Sequence, residues 1–548
     1  ATRLDLPITQ FGAKPIDLIR RPVADEDTSN PNVLAERFYS LASLRILLSD
    51  TAADITSLPG IDTSVAPIPL GTAEPSGYTI SSSSPRRPPF GQAPSGIAVP
   101  QDTPLIGGYL KIEKQTSPGV WQDVTLEILS LGFNEPQLKS SSPGSSTCTD
   151  YTPNAIIRLQ RPWDNGGTCY STSNLFDTSS SSARRYTPLA LFDTREAIYR
   201  DSSPGSSPLL SGAMYLVDLD ARNLARWFTG QISSSDCPIA CSGTDALNVN
   251  GYTVYFSDRR GNRNASNEET GEFGDEDIVN TGSSGTPNGS LDAGEDFNEN
   301  GTLDDYGKTP QLPYGVTAWP SMSSPLQQTT HLWTGVSATD ARRNPPIFFR
   351  RALRLVNGKD LYDDAPGLTG LTIASENPVY VLGDWNANAD GDNNFDDDDH
   401  VATAVLADAV TLLSDNWNDA NSFNHPYDRG NRPAVTGWYR LAVIAGKGLS
   451  FTWSSTPNDF GTDGGAHNFL RYLEDWTGDT LNYRGSIASL FYSRQATGTY
   501  KCCDTVYNPP TRGYNFDTEF LTPSLLPPRT PMFRDVNITG FQQIIRPQ

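Results

Sequence analysis

The chain has 548 residues, with 63 Asp and Glu against 41 Lys and Arg and a formal net charge of −22. This charge argues against nucleic acid or an anionic membrane surface as a partner, since positive charge binds both. The sequence has no apolar run of about 18 residues, the length needed to span a bilayer. Charged residues are only 19%, while Gly and Pro number 46 and 42, a balance typical of a β-rich, loop-rich extracellular protein.

The predicted elements of the first half begin with an extended segment over 1–11, where Leu4, Leu6 and Ile8 alternate with Arg3, Asp5 and Pro7. Such a strand can pair with a sheet edge of another subunit or within its own chain. A helix is predicted after Asn30 and Pro31, and its apolar face is Leu34, Phe38, Leu41, Leu44 and Leu48. Further predicted elements are a strand pair (110–113 and 120–129), a short helix (220–228) and a hairpin at Asn250-Gly251 between 247–249 and 252–256.

The second half mixes predicted helices and strands without regular alternation. Helices are predicted over 347–356 and 401–413 and around Phe469, Leu473 and Trp476; strands are predicted over 372–382, 439–444 and 486–492. No period of 20–50 residues is evident, which argues against a solenoid. The sequence therefore predicts an α+β, β-rich fold: antiparallel sheets with a few short helices and long ordered loops.

Composition divides the chain into four regions. Region 1–104 holds the extended segment, a helix and a Pro/Ser-rich excursion, and 105–257 is β-rich with Ser-rich loops. Region 258–340 is an acidic insertion, and 341–548 is an α+β region with a second acidic loop. Ala1–Gln10 lacks the apolar core of a signal peptide, so we expect an already processed chain or the soluble part of something longer.

Two short segments carry almost the whole net charge. Twelve acids lie between Glu268 and Asp305 and seven between Asp384 and Asp399, without Lys or Arg among them. The other 44 acids nearly balance the 41 basic residues. Blocks of like charge repel unless a partner neutralises them, which favours bound divalent cations.

The spacing inside these segments favours calcium. Oxygen side chains at alternate positions with Gly at the sixth are typical of a calcium loop. In the first segment the candidate ligands are Asp296, Asn298, Asn300, Thr302 and Asp304, preceded by Asp292 and Glu295 at positions nine and twelve of a partial loop. In the second they are Asn386, Asn388, Asp390, Asp392 and Asp397. The alternative is a solvated acidic loop without metal.

Six cysteines form three close pairs, Cys148 with Cys169, Cys237 with Cys241, and Cys502 with Cys503. Disulfides in an oxidising compartment are predicted over a zinc site, which would use Cys-x-x-Cys hooks. The four histidines have no metal-binding spacing, and nucleophile and phosphate-loop motifs are absent. The sequence therefore indicates a non-enzymatic protein.

Several stretches resemble the large ectodomains of PilX-type pilus-assembly proteins, minor-pilin-like proteins of acidobacterial and metagenomic origin. The stretches are 377–384, 407–414, 464–476, 483–486, 499–503, 11–16 and Asn250-Gly251 with 259–262. The resemblance implies export and a cell-surface or type IV pilus setting. Those proteins begin with an apolar anchor helix, which is missing from residues 1–10 here.

The prediction that results is an extracellular structural protein, a pilus-associated or filament-forming subunit stabilised by calcium and disulfides. Its partners would be further copies or pilus components. One alternative is a calcium-dependent adhesin or glycan-binding surface protein that uses exposed aromatics such as Trp438 and Tyr439. The other is a secreted hydrolase with a concealed site.

Overall fold

A computed structural model of the chain describes residues 6–22, 31–70, 108–136, 150, 152–162, 186–197, 212–261, 290–291, 349–387, 395, 400–426, 428–448, 452–453, 456–460, 470–496 and 506–531.

The strands, in chain order, are β1 (Leu44–Ser49), β2 (Ile68–Pro69), β3 (Tyr109–Ser117), β4 (Val120–Asp123), β5 (Ile157–Arg158), β6 (Gln160–Pro162), β7 (Tyr186–Pro188), β8 (Ala190–Phe192), β9 (Ala213–Asp220), β10 (Tyr252–Asp258), β11 (Phe349–Val356), β12 (Gly370–Ser375), β13 (Val379–Leu382), β14 (Ala402–Ala407), β15 (Val410–Leu413), β16 (Gly437–Ala445), β17 (Thr452–Trp453), β18 (Thr456–Phe460), β19 (Leu470–Arg471), β20 (Thr480–Ala488) and β21 (Thr511–Phe516). The helices are α1 (Pro31–Glu36), α2 (Phe38–Leu41), α3 (Ala52–Thr56), α4 (Thr125–Ser130), α5 (Thr194–Ala197), α6 (Ala221–Phe228), α7 (Leu361–Asp364) and α8 (Asp419–Asn424).

Two large sheets form the body. The first sheet has ten strands in the order β2-β3-β1-β10-β12-β14-β16-β20-β21, with β4 beside β3. The second has seven in the order β19-β15-β13-β11-β9-β5, with β8 beside β9. From β9 to β16 each successive strand lies in the other sheet, and β19 and β20 continue this alternation. The chain thus winds as a parallel solenoid, two strands to each coil.

The register of the coils places apolar side chains in rows. Val254, Ile373, Val405 and Val443 stand beside one another across the first sheet and belong to the core between the two sheets. The next residue of each strand faces the opposite side of the first sheet, as the pleat requires. There the N-terminal segment covers the sheet in a second apolar cluster, which includes Leu6, Ile8, Ile19, Phe38, Tyr255, Ala374, Leu406 and Ile444.

The outer face of the second sheet carries a buried row of polar residues. Arg354 stands in register between Asp218 of β9 and Tyr380 of β13. Its guanidinium donates to both carboxylate oxygens of Asp218, at 2.9 and 2.7 Å, and to both of Asp419, at 2.9 Å each. Burial opposes ionisation of Asp419, but Arg354 and Arg161 outweigh it and lower the pKa of that carboxyl. The row is therefore an ion-pair network that joins β9, β11 and α8.

Glu474 is a buried acid of a different kind, next to the end of β15. Its carboxyl accepts hydrogen bonds from the Ser414 backbone N–H at 2.7 Å and from the Ser414 hydroxyl at 2.6 Å. Burial raises the pKa of Glu474 to about 8, although Ser414 and Arg432 oppose the rise. Glu474 is therefore mostly protonated in the folded protein at neutral pH.

The α+β, β-rich class is confirmed, with mixed sheets and short helices. Among the described strands, antiparallel ladders of the two large sheets lie at one end of the body, where β3 pairs with β1, β2 and β4, and β9 pairs with β5 and β8. The small pairs β6 with β7 and β17 with β18 are also antiparallel. The other ladders of the two large sheets, such as β1 with β10, β9 with β11 and β16 with β20, are parallel. The alternation of strands between parallel sheets also corrects the expectation that a solenoid is unlikely. Strands from regions 1–104, 105–257 and 341–548 share the first sheet.

Three predicted helices are wrong. Residues 349–356 form β11, residues 402–413 form β14 and β15, and Leu470–Arg471 forms β19. Strands of a parallel sheet that is buried on both faces have near-continuous apolar runs, which resemble a buried helix in sequence, as in 402–413. In 349–356 the arginines interrupt the apolar pattern, although Arg350 and Arg354 are buried. Residues 372–382 form strands and 221–228 a helix, as predicted.

Four other expectations need correction. The first predicted helix ends at Leu41, and Leu44 and Leu48 belong to β1. The predicted strand 120–129 ends at Asp123 and is followed by α4. Asn250 and Gly251 adopt positive φ, at 57° and 112°, but they lead into β10, whose neighbours β1 and β12 are parallel to it, so they make no hairpin. Pro7–Phe11 is a 3-10 turn with Leu6 and Ile8 buried against their own chain, so the predicted N-terminal strand is wrong over these residues.

We expect Arg354→Ala to destabilise the protein by about 3–5 kcal/mol, because the buried carboxylate of Asp218 would lose its guanidinium partner and Asp419 would keep Arg161 but lose the second guanidinium. The matched control is Arg222→Ala: the Arg222 side chain is 52% exposed and bridges Asp364 at 2.7 Å, and it should cost less than about 1 kcal/mol. Urea unfolding of both variants measures the difference, and equal costs would contradict the role of the network.

Glu474→Gln should change the pH dependence of stability. The ordinary pKa of a Glu is 4.5 and the folded value is about 8, so the stability that this group contributes at low pH is lost as pH rises from about 4.5 to 8. Gln keeps the neutral hydrogen bonds and does not titrate. The variant should therefore gain stability relative to the wild type between pH 5 and 8.5. Parallel curves of unfolding free energy against pH for the two proteins would contradict this assignment.

Candidate calcium-binding loop

The second acidic segment leaves the body between Asn386 and Val401. Asn386 is buried and has a φ of 49°, in the left-handed region that Asn tolerates. Its carboxamide oxygen accepts from the Val401 N–H at 3.1 Å, and its amide donates to the Val401 carbonyl at 2.6 Å and to the Arg440 carbonyl at 3.1 Å. One side chain thus fixes both ends of the loop to each other and to β16.

Trp385, which precedes Asn386, is hydrogen-bonded to strand β16 of the first sheet. Its backbone N–H donates to the Trp438 carbonyl at 2.8 Å, and its carbonyl accepts from the Arg440 N–H at 2.9 Å. The indole is fully buried and donates to the Thr403 hydroxyl at 3.2 Å. The base of the loop therefore belongs to the rigid part of the body.

Phe395 anchors the middle of the loop. It is 7% exposed, its ring meets the edge of Trp438 at 5.1 Å, and the Arg484 guanidinium lies 5.2 Å from its ring centre. Arg484 also donates to the Phe395 carbonyl. An aromatic side chain in the centre of an acidic loop is thus buried against β16 and β20.

A third anchor lies at the end of the loop. The His400 Nε2 is 2.9 Å from one carboxylate oxygen of Glu519, whose other oxygen accepts from Arg440 at 3.1 Å. Arg440 in turn donates to Asp517 at 2.8 Å. The loop is therefore tied to the residues that follow β21.

Asp384, the first acid of the segment, makes contacts within the body of the protein. Its carboxylate accepts from the Trp438 N–H at 2.9 Å and lies 3.5 Å from the Lys359 ammonium. Burial raises its pKa, although the Trp438 N–H opposes the rise. Together with Asn386, it shows that the polar residues at the base of the loop are hydrogen-bonded within the protein.

Most of the predicted ligands lie outside the described residues. These are Asp292, Glu295, Asp296, Asn298, Asn300, Thr302 and Asp304 of the first loop and Asn388, Asp390, Asp392 and Asp397 of the second. In the described ranges alone, no group of three or more His, Cys, Asp and Glu is placed to hold a metal. The structure thus describes the base and anchors of one candidate loop, whose oxygen-rich sequence suits a hard cation such as calcium.

The Cys237–Cys241 disulfide is confirmed, with Cα atoms 5.6 Å apart. Cys148, Cys169, Cys502 and Cys503 lie outside the described residues. The aromatic pair suggested for glycan binding is not an exposed platform: Tyr439 is buried and donates to the Leu413 carbonyl at 2.8 Å, and Phe395 packs on Trp438.

Phe395 and the tryptophan that precedes the loop were not among the residues predicted for this site. A signal was available, since the ends of three second-sheet strands read Leu382-Gly-Asp-Trp, Leu413-Ser-Asp-Asn-Trp and Leu473-Glu-Asp-Trp. In each case the tryptophan, at 385, 417 or 476, is buried where the chain leaves the second sheet. This recurring pattern marks the corners of the coils.

No family model, curated protein or solved structure matches this chain. Within the described residues, no helix has the length and apolarity needed to cross a membrane.

Phe395→Ala should weaken calcium binding by roughly three- to tenfold, because the loop would have to be ordered at the expense of binding energy. Titration calorimetry with calcium chloride on the full chain measures this effect. Tyr492→Ala, which removes an aromatic ring that is 56% exposed, is the control and should bind as the wild type does. Equal affinity of the Phe395 variant and the control would show that this anchor does not organise a metal site.

Proposed function

We propose that the protein is a non-enzymatic extracellular structural subunit, pilus-associated or filament-forming, stabilised by calcium and disulfides. The observation that carries the proposal is the difference between the two ends of the solenoid. At one end, antiparallel strands flank both sheets: β2, β3 and β4 in the first, β5 and β8 in the second. At the other, the first sheet ends in the parallel strand β21.

A solenoid needs capping elements at both ends if it is to remain a soluble monomer. β21 carries Phe516, which is 52% exposed, and Leu521 just beyond it is 74% exposed. Exposed apolar side chains beside a strand edge favour contact with another protein surface. This supports a role in assembly.

The Cys237–Cys241 disulfide supports an oxidising compartment outside the cytoplasm. Calcium loops of extracellular proteins bind at roughly 10⁻⁴–10⁻³ M, so even a modest site would be occupied there. The anchoring of the loop by Asn386, Phe395 and His400 supports a site that is partly organised before the ion binds.

The test compares the full chain in calcium chloride and after exhaustive treatment with EDTA. Calcium should raise the melting temperature beyond what an equal ionic strength of sodium chloride does, because it neutralises the two acidic segments. In calcium the protein should form oligomers or filaments, visible by sedimentation and negative-stain electron microscopy. A calcium-independent melt would remove calcium from the proposal, and a monomer under all conditions would remove the assembly role.

A further inference from the structure

β21 is an edge strand with half of its backbone groups directed away from the sheet. The Thr511 N–H donates to the Asp479 carbonyl at 3.0 Å, and the Asp517 N–H donates to the Gly485 carbonyl at 3.2 Å. In a parallel ladder every second residue makes both of its bonds to the same neighbour. Residues 511, 513, 515 and 517 therefore face β20, and the N–H and C=O groups of Arg512, Tyr514 and Phe516 point outward.

The described chain beyond β21 does not cover this edge. The Pro528 carbonyl accepts from the Thr372 hydroxyl at 2.7 Å, and the Ser524 carbonyl accepts from the Asn250 amide at 3.2 Å. Residues 524–528 thus lie over the starts of β10 and β12, strands in the middle of the first sheet. No other described strand pairs with the outer edge of β21.

Three side chains of β21 share one face. Tyr514 points inward, with its ring 5.6 Å from that of Tyr483. Arg512 and Phe516, two residues away on either side, share its face by the period of the strand, and both are exposed. Arg512 is the only charged side chain of β21.

We propose that two copies of this chain pair antiparallel through β21, about a two-fold axis at Tyr514. This inference rests on the proposed function and specifies one assembly contact and its partner. A two-fold contact closes on itself, so growth of a filament would need a second surface of the body. The Tyr514 N–H and C=O of one copy bond to those of the other, because both point outward at the axis. The same register places Arg512 opposite Phe516 of the partner, twice by symmetry.

The register follows from charge and burial. In an antiparallel pair, residues directly opposite each other lie on the same face, so the two-fold passes through a residue. Two six-residue strands Thr511–Phe516 overlap most fully when that residue is Gly513 or Tyr514. An axis at Gly513 leaves Phe516 beyond the paired region and exposed. The axis at Tyr514 covers Phe516 with a guanidinium, a cation–π contact, and keeps the two Arg512 side chains apart.

A head-to-tail contact fits less well. It would join β21 to the opposite end of the body, where the antiparallel hairpin β3–β4 caps the first sheet. A two-fold contact uses the open end of both copies and leaves both capped ends outside.

The experiment is a charge exchange in the full chain, kept in calcium chloride and followed by sedimentation-equilibrium centrifugation. Phe516→Arg puts like charges opposite each other twice and should weaken dimerisation at least about tenfold. Adding Arg512→Glu to it places opposite charges together and should restore the dimer to within about threefold of the wild type. Phe516→Glu, opposite the native Arg512, should dimerise at least as well as the wild type. All three changes are at exposed positions, so each variant should remain folded, with the circular-dichroism spectrum of the wild type.

A Phe516→Arg protein that dimerises like the wild type, or a double variant no stronger than Phe516→Arg, would overturn the β21 contact while leaving the proposed function intact. Slow hydrogen exchange at Arg512 and Tyr514 in a dilute monomer would also overturn it, because another segment of the chain would then cover the edge. A wild type that remains monomeric at every concentration would overturn both the contact and the assembly role.

Discussion

The contact of Arg354 with Asp218 and Asp419 is the constraint on which the second sheet depends. A buried charged side chain in the centre of a sheet is tolerated only if groups of opposite charge lie within hydrogen-bonding distance of it. Here the partners come from a neighbouring strand, β9, and from helix α8, far along the sequence. A shift of β11 by one residue would separate the Arg354 guanidinium from Asp218 and from Asp419, and Asp419 would keep only its ion pair with Arg161. The network therefore selects one register, whatever its net contribution to stability.

The buried ion pairs and the excess negative charge lie in different parts of the chain. The buried charges of Arg354 and Asp419 are paired with each other, whereas the unbalanced acids are confined to two insertions between strands. At the second insertion, the structure shows which contacts keep the strands before and after the loop in their sheets. Asn386 closes the base of the loop by hydrogen bonds to Val401, so β13 and β14 keep their places in the two sheets. The base of this loop is therefore held by Asn386 through contacts with Val401 and Arg440.

The two ends of the solenoid are built differently, and this asymmetry gives the body a direction. The capped end is reinforced by the Cys237–Cys241 disulfide, whose sulfur side chains pack against the main core near α6. The open end exposes aromatic and aliphatic side chains beside a strand edge with which no other described strand pairs. A body of this kind can make a specific contact at one end while the other end remains soluble.

The sequence by itself determined the β-rich class, the Cys237–Cys241 pairing, the helix near 221–228, the strands of 372–382 and the concentration of acids in two insertions, because composition and short-range spacing decide these features. Only the tertiary structure decided that 349–356 and 402–413 are strands. Burial on both faces removes the alternation from 402–413, and in 349–356 the alternation is obscured because Arg350 and Arg354 are buried as well. The solenoid was hidden for a related reason. Its recurring Leu382, Leu413 and Leu473 corners are 31 and 60 residues apart, separated by insertions of unequal length. Phe395 is an anchor only because Trp438 and Arg484 come to it from strands that are remote in sequence.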